Sequence, residues 1–207
     1  EVFAIASSGF CFRAAGSGVN PVQAIRWENC HAWSDVNTPV GTGWLLQDRA
    51  YDLQFRDCVA HHLANGFVCG GAVRSTSSIE WHACRAEWCT GSGWSIAGGD
   101  NMLLNGCSTD RCGVYGVFVQ GGVLDGPLVL NGCLLKRDGR GGAGAGLRVA
   151  DTATVIAADV TIRRGTDDGN TNAPGPAHGV WVSGSGTRVL FQGQAAGVTS
   201  AERVDSG

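Results

Sequence analysis

The sequence predicts an all-β chain wound as a parallel β-helix, a solenoid of about seven three-strand coils, on three observations. The first is a phrase of an apolar residue, a second one two places on, a two-residue turn and a cysteine. It occurs as Ile25, Trp27 and Cys30, and again as Leu53, Phe55 and Cys58, as Ile79, Trp81 and Cys84, as Met102, Leu104 and Cys107, and as Leu128, Leu130 and Cys133. The second is a glycine followed by an apolar pair one residue apart, at Gly43, Gly66, Gly93, Gly116, Gly146 and Gly179. The third is composition. Glycine supplies 33 of 207 residues and charged residues only 16%, against usual shares of ~7% and ~25%. Val, Ile, Trp, Phe, Leu and Thr fill short runs between Gly, Asn and Asp, as in strands separated by turns.

Side chains alternate along a strand, so each element can be assigned a face. On the first strand the expected inward pairs are Phe10/Phe12, Trp44/Leu46, Phe67/Cys69, Trp94/Ile96, Val117/Val119, Leu147/Val149 and Val180/Val182. On the second they are Ile25/Trp27, Leu53/Phe55, Ile79/Trp81, Met102/Leu104, Leu128/Leu130, Thr154/Ile156 and Val189/Phe191. The third strand starts at the cysteine, with Cys30/Ala32, Cys58/Ala60, Cys84/Ala86, Cys107/Thr109 and Cys133/Leu135 facing in. Small residues suit a tight corner. The turn before each cysteine carries Asn29, Asp57, Ala83, Gly106 and Gly132, short residues that tolerate a left-handed backbone. In the sixth coil one inserted residue puts Asp159 in that turn and Val160/Ile162 inside, which avoids burying an unpaired carboxylate.

The repeat length of roughly 23 to 34 residues varies mainly in the loops on either side of the first strand, which would wall a groove along that face. Residues 1–207 read as one continuous domain, and the β-like run at residue 1 marks it as a segment of a longer chain. The net charge of −3 and the scarcity of lysine exclude a phosphate backbone as partner, and no apolar run approaches a membrane span. A polyhydroxylated partner fits better.

The position three after each ladder cysteine points outward at the groove edge and reads Trp33, His61, Glu87, Asp110, Lys136 and Arg163. Glu87 and Asp110 would be one strand spacing apart, an acid/base pair with His61 as third member; the alternative is a solvated edge of compensating charges. Cys89 and Cys112 match in consecutive coils, within reach of a disulfide or stacked as reduced thiols. Cys11, expected outward, is the most reactive thiol by this reading. Outward on the first strand come Cys11, Leu45, Val68, Ser95, Phe118, Arg148 and Trp181. Trp33, Phe118, Trp181, Lys136 and Arg148 are the candidate carbohydrate contacts. The outward second-strand positions turn apolar at Leu103, Val129, Val155 and Leu190, an association surface.

This pattern resembles the right-handed parallel β-helix superfamily of pectate lyases, polygalacturonases and bacteriophage tailspikes, over essentially the whole chain. Thr166-Asp-Asp168 and His178-Gly-Val are similar to polygalacturonase motifs but fall within one loop, so the catalytic roles do not transfer. The resemblance to lyases implies calcium as a possible cofactor at an acidic group of Asp138, Asp167 and Asp168; no other cofactor is implied. The resemblance to tailspikes implies a homotrimer on a virion surface, packed along the apolar stripe, binding a bacterial surface polysaccharide, with or without cleaving it, and joining other virion proteins through further segments. A secreted polysaccharide lyase or hydrolase, working extracellularly through Glu87, Asp110 and His61, is the second expectation, and a structural spacer the third.

Overall fold

In the computed structural model, residues 2–6, 9–16, 20–70, 76–121, 126–140, 144–165, 175–198 and 200–205 are described. Every regular element among them is a strand, and no helix is long and apolar enough to cross a membrane. The first strands form one eight-stranded sheet: Phe10–Ala15, Thr42–Gln47, Asn65–Gly70, Trp94–Ala97, Tyr115–Gln120, Ala145–Ala150, His178–Ser183 and Ser200–Asp205. The others form a fourteen-stranded sheet. One of its columns contains the third strands Val2–Ile5, Cys30–Trp33, Val59–His61, Arg85–Glu87, Ser108–Asp110 and Leu134–Lys136. The other contains the second strands Val22–Gln23, Arg26–Glu28, Ala50–Arg56, Ser77–His82, Asp100–Asn105 and Leu128–Asn131. Thr154–Arg163 and Arg188–Ala196 each run through both columns.

That fusion corrects the expected coil number. About five turns have three separate strands, not seven, because beyond Leu134–Lys136 the second and third strands of a coil merge into one. Pairing is parallel and in register: Trp94 lies between Phe67 and Val117, and Ala86 between Ala60 and Thr109. Like therefore stacks on like through the interior. Phe12, Trp44, Phe67 and Trp94 form one pile with ring centroids 4.9, 4.6 and 4.8 Å apart. Trp27, Phe55 and Trp81 form a second, at 4.7 and 5.6 Å. The spacing is that of adjacent strands, about 4.8 Å, so the backbone ladder imposes the stack. Trp44, Trp81 and Trp94 leave their buried Nε1 without a hydrogen-bond partner. Each orphan costs roughly 1–3 kcal/mol, which the burial of a whole indole offsets.

The ladder cysteines Cys30, Cys58, Cys84, Cys107 and Cys133 are buried and free. Each thiol makes weak contacts to backbone carbonyls, as Cys107 does to Trp81 at 3.3 Å. Burial pushes Cys133 up to about 11, and a hydrogen bond that Cys58 donates to Cys84 together with burial pushes Cys58 up further, so these two are apolar spacers and poor nucleophiles. The preceding turn is left-handed throughout, with φ of 53° at Asn29, 52° at Asp57, 52° at Ala83, 62° at Gly106, 60° at Gly132 and 53° at Asp159. The glycine opening each first strand answers a different need, close approach. A Cβ on Gly66 would sit 2.5 Å from the Gly93 carbonyl oxygen.

Two registers differ from expectation. In the first coil Phe12 pairs with Trp44 and Ala14 with Leu46, so the inward pair is Phe12/Ala14, and Phe10 is exposed. Arg13, not Cys11, thus heads the outward column beside Leu45. Cys11 reaches toward the Ala4 carbonyl at 3.5 Å, and burial raises its pKa, contrary to a reactive outward thiol. In the sixth coil Val160 and Ile162 do face in, but the second strand starts one residue later than expected. Leu128 pairs with Val155 and Leu130 with Ala157, so Val155 and Ala157 are core, and Ile156 takes the outward place assigned to Val155. No residue is inserted: the whole phrase is displaced, and the turn keeps its length.

Candidate functional site

The third-strand edge forms as a column. Trp33 pairs with His61, His61 with Glu87, Glu87 with Asp110, Asp110 with Lys136 and Lys136 with Arg163. Its electrostatics, however, are those of a closed network. Asp110 is only 6% exposed; it accepts from Arg137 Nε at 2.7 Å and from Arg137 Nη2, with Lys136 Nζ at 3.3 Å and Arg111 Nη1 at 3.7 Å. Glu87 pairs with Arg85 at 3.1 Å. Both carboxylates of the expected acid/base pair are thus compensated by cations that no single sequence position announces. His61 lies edge-on to Trp33 at 5.4 Å and 3.1 Å, nitrogen to nitrogen, from His62. Burial, then the neighbouring His62, His31 and Arg85, hold the His61 pKa low, so its ring is neutral at pH 7.

Asp138 departs furthest from expectation. It is wholly buried, accepting from the Cys112 backbone N–H at 2.9 Å and from the Thr109 hydroxyl. A carboxylate committed in this way inside the core is no loop ligand for calcium. Asp167 and Asp168 lie outside the described residues, as do Thr166 and most of that loop. Burial raises the Asp138 pKa to about 7, against the lowering effect of hydrogen bonds from Thr109 and Cys112 and with a further push from Asp110. Cys89 and Cys112 are buried free cysteines in consecutive coils.

On the outward first-strand face, Ser95, Phe118, Arg148 and Trp181 stand in that order on successive coils. The Arg148 guanidinium lies 4.1 Å over the Trp181 ring and donates to Ser183 Oγ at 2.5 Å. Tyr115 adds its ring 5.2 Å from Phe118 and 6.3 Å from Trp181, and His178 sits 5.5 Å from Trp181. Phe118, Arg148 and Trp181 are therefore brought together, whereas Trp33 and Lys136 belong to the separate third-strand edge. Tyr115 and His178, at the strand starts where alternation assigns no outward face, were not legible as members. All five are half-buried: they offer ring surface fixed in place by neighbours.

The outward second-strand stripe is Leu103, Val129, Ile156 and Leu190, with Leu190 66% exposed. Comparison with curated proteins and with solved structures gives no match. Residues 18–196 match the family described as the right handed beta helix region, which is most of the chain and the part that carries the stacked coils. The chain belongs to the right-handed β-helix family.

Proposed function

We propose that this chain is the glycan-binding β-helix of a tailspike-like, homotrimeric virion protein, and that its outward first-strand face holds a bacterial surface polysaccharide. One observation carries the reading: the Arg148 guanidinium sits over the Trp181 ring, with Phe118 and Tyr115 beside them, on an outer face. The C–H face of a sugar ring is apolar and stacks on aromatic rings through dispersion, while its hydroxyls take hydrogen bonds from a fixed guanidinium. Because neighbouring side chains already order these rings, a ligand has little conformational entropy left to overcome. The pairing of Glu87 with Arg85 and of Asp110 with three cations favours retention of the glycan over its cleavage.

The test is binding of the chain to immobilised bacterial O-antigen and capsular oligosaccharides. Trp181→Ala should weaken the response at least about tenfold, the loss expected when one aromatic anchor is truncated. Equal binding by the variant would move the site elsewhere, and release of new reducing ends by the parent chain would favour the secreted-enzyme reading.

A further inference from the structure

Two adjacent histidines meet where the third strand gives way to the following first strand. Successive residues of a strand point to opposite faces, so sequence neighbours do not ordinarily touch through their side chains. His61 ends the strand Val59–His61 with its ring outward. His62 then takes a left-handed backbone, φ 54°, in one corner column with Trp88, Arg111 and Arg137 at 56°, 60° and 56°. The ladder holds that column: His62 N donates to Glu87 O at 3.1 Å, Trp88 N to Asp110 O at 2.9 Å and Arg111 N to Lys136 O at 3.1 Å. Side chains of this bulk rarely hold the conformation, and such outliers gather where a functional group must be aimed. The effect here is to turn His62 back toward His61, with their Nδ1 atoms 3.1 Å apart.

Both rings are held in place by indoles. Trp33 meets His61 edge-on with centroids 5.4 Å apart, and Trp88 stacks on His62 at 5.8 Å and 7°. An ion bound by nitrogen at about 2.0–2.1 Å spans about 2.9 Å between two nitrogens at a right angle and about 3.3 Å at the tetrahedral angle. The observed 3.1 Å falls between the two, which is the bite of a chelate. A tilt of each ring about its soft outer torsion brings both lone pairs onto one ion. Burial keeps the two imidazoles neutral, the form that ligates. A neutral pair this close shares one Nδ1 proton; an ion takes its place, and that proton passes to Nε2 of its own ring by exchange with water.

We propose that His61 and His62 chelate a first-row divalent transition ion, zinc or nickel, through their two Nδ1 atoms. Glu87 is held by Arg85 at 3.1 Å, and among the described residues no three His, Cys, Asp or Glu side chains are placed to enclose an ion, so water fills the remaining positions. Arg85 acts on His61 and Arg140 on His62 against a cation, while Glu87 favours one, so the corner offers little net attraction to charge alone. That selects an ion held by the strength of its bonds to imidazole. Calcium, which takes roughly six to eight oxygen ligands, is refused. The site is separate from the Trp181 face and stands whether or not that face binds glycan.

The experiment is titration of the whole chain with zinc chloride, with nickel and calcium chlorides in parallel, in a buffer that does not coordinate metal, followed by calorimetry and by the imidazole nitrogen resonances. Zinc should bind and move the Nδ1 resonances of His61 and His62 while leaving those of His82 in place, and nickel should compete for the same site. His61→Ala and His62→Ala should each weaken zinc binding at least about tenfold, since losing even an outer partner of a ligand costs that much. His82→Gln should bind like the parent, and calcium should not compete. The proposal falls if zinc leaves the two Nδ1 resonances unmoved, if both His61→Ala and His62→Ala bind zinc like the parent, if His82→Gln loses it instead, or if calcium displaces it at equal concentration. The resonances are read on the parent chain, so the test stands even where a variant does not fold.

Discussion

Asp138 shows how one side chain can set the pH response of a fold. Its folded pKa of about 7 lies above the ordinary 3.8, so folding favours its protonated form. The stabilisation is complete below about 3.8 and is lost as pH rises through about 7. An asparagine side chain in its place would mimic the neutral acid, accepting from Cys112 N through its oxygen and donating to Thr109 Oγ1. Asp138→Asn should therefore be more stable than the parent at pH 8 by at least ~1 kcal/mol, with the gap closing toward pH 4, read from urea unfolding at each pH. A gap independent of pH would mean that Asp138 does not titrate across this range. His61 and His62 act in the opposite sense: their lowered pKa values contribute stability above about 6.5 that is lost on acidification. The ladder cysteines were legible because five repeats share one chemistry and one spacing. Asp138 was not, because a single aspartate after a third strand looks the same whether it turns out to a loop or in beneath Thr109.

At the scale of the strand and its corners, the constraint is distance between neighbouring coils. Gly116 lies where a Cβ would meet Asp138 Oδ2 at 2.5 Å and the Gly146 carbonyl oxygen at 2.7 Å, and neither can retreat. Gly116→Ala should thus cost at least ~2 kcal/mol, whereas Gly132→Ala, at a left-handed turn with open space around it, should cost only about 1 kcal/mol. Thermal unfolding of the two variants checks the order, and the reverse order would mean that turn conformation dominates over packing. Alternation placed nearly every inward pair, because one face of each strand is wholly apolar. It failed at the sixth coil, where Val155, Ile156, Ala157 and Ala158 offer no polar residue to separate the two faces and only the stacking of Leu128 on Val155 decides. The left-handed corner at His62, Trp88, Arg111 and Arg137 was invisible for a related reason: none of these residue types signals a turn, and the ladder alone holds them there.

For the molecule as a whole, the outer stripe of Leu103, Val129, Ile156 and Leu190 is the surface on which the proposed trimer depends. Leu190 points outward and packs into no core column, so Leu190→Asp should leave the fold intact and shift the mass in solution from trimer toward monomer at micromolar concentration. A parent chain that is already monomeric there would remove the trimer. Fold class was legible across the chain because a solenoid writes its architecture once per coil. The candidate sites were only half legible, since a column such as Trp33 to Lys136 follows from register, but the cations that neutralise Asp110 come from the neighbouring positions Arg111 and Arg137. The pile of Phe12, Trp44, Phe67 and Trp94 has a consequence beyond stability. The indoles of Trp44 and Trp94 are dry, so their fluorescence should lie at short wavelength, and slippage of a coil that let water reach either ring should move it to the red.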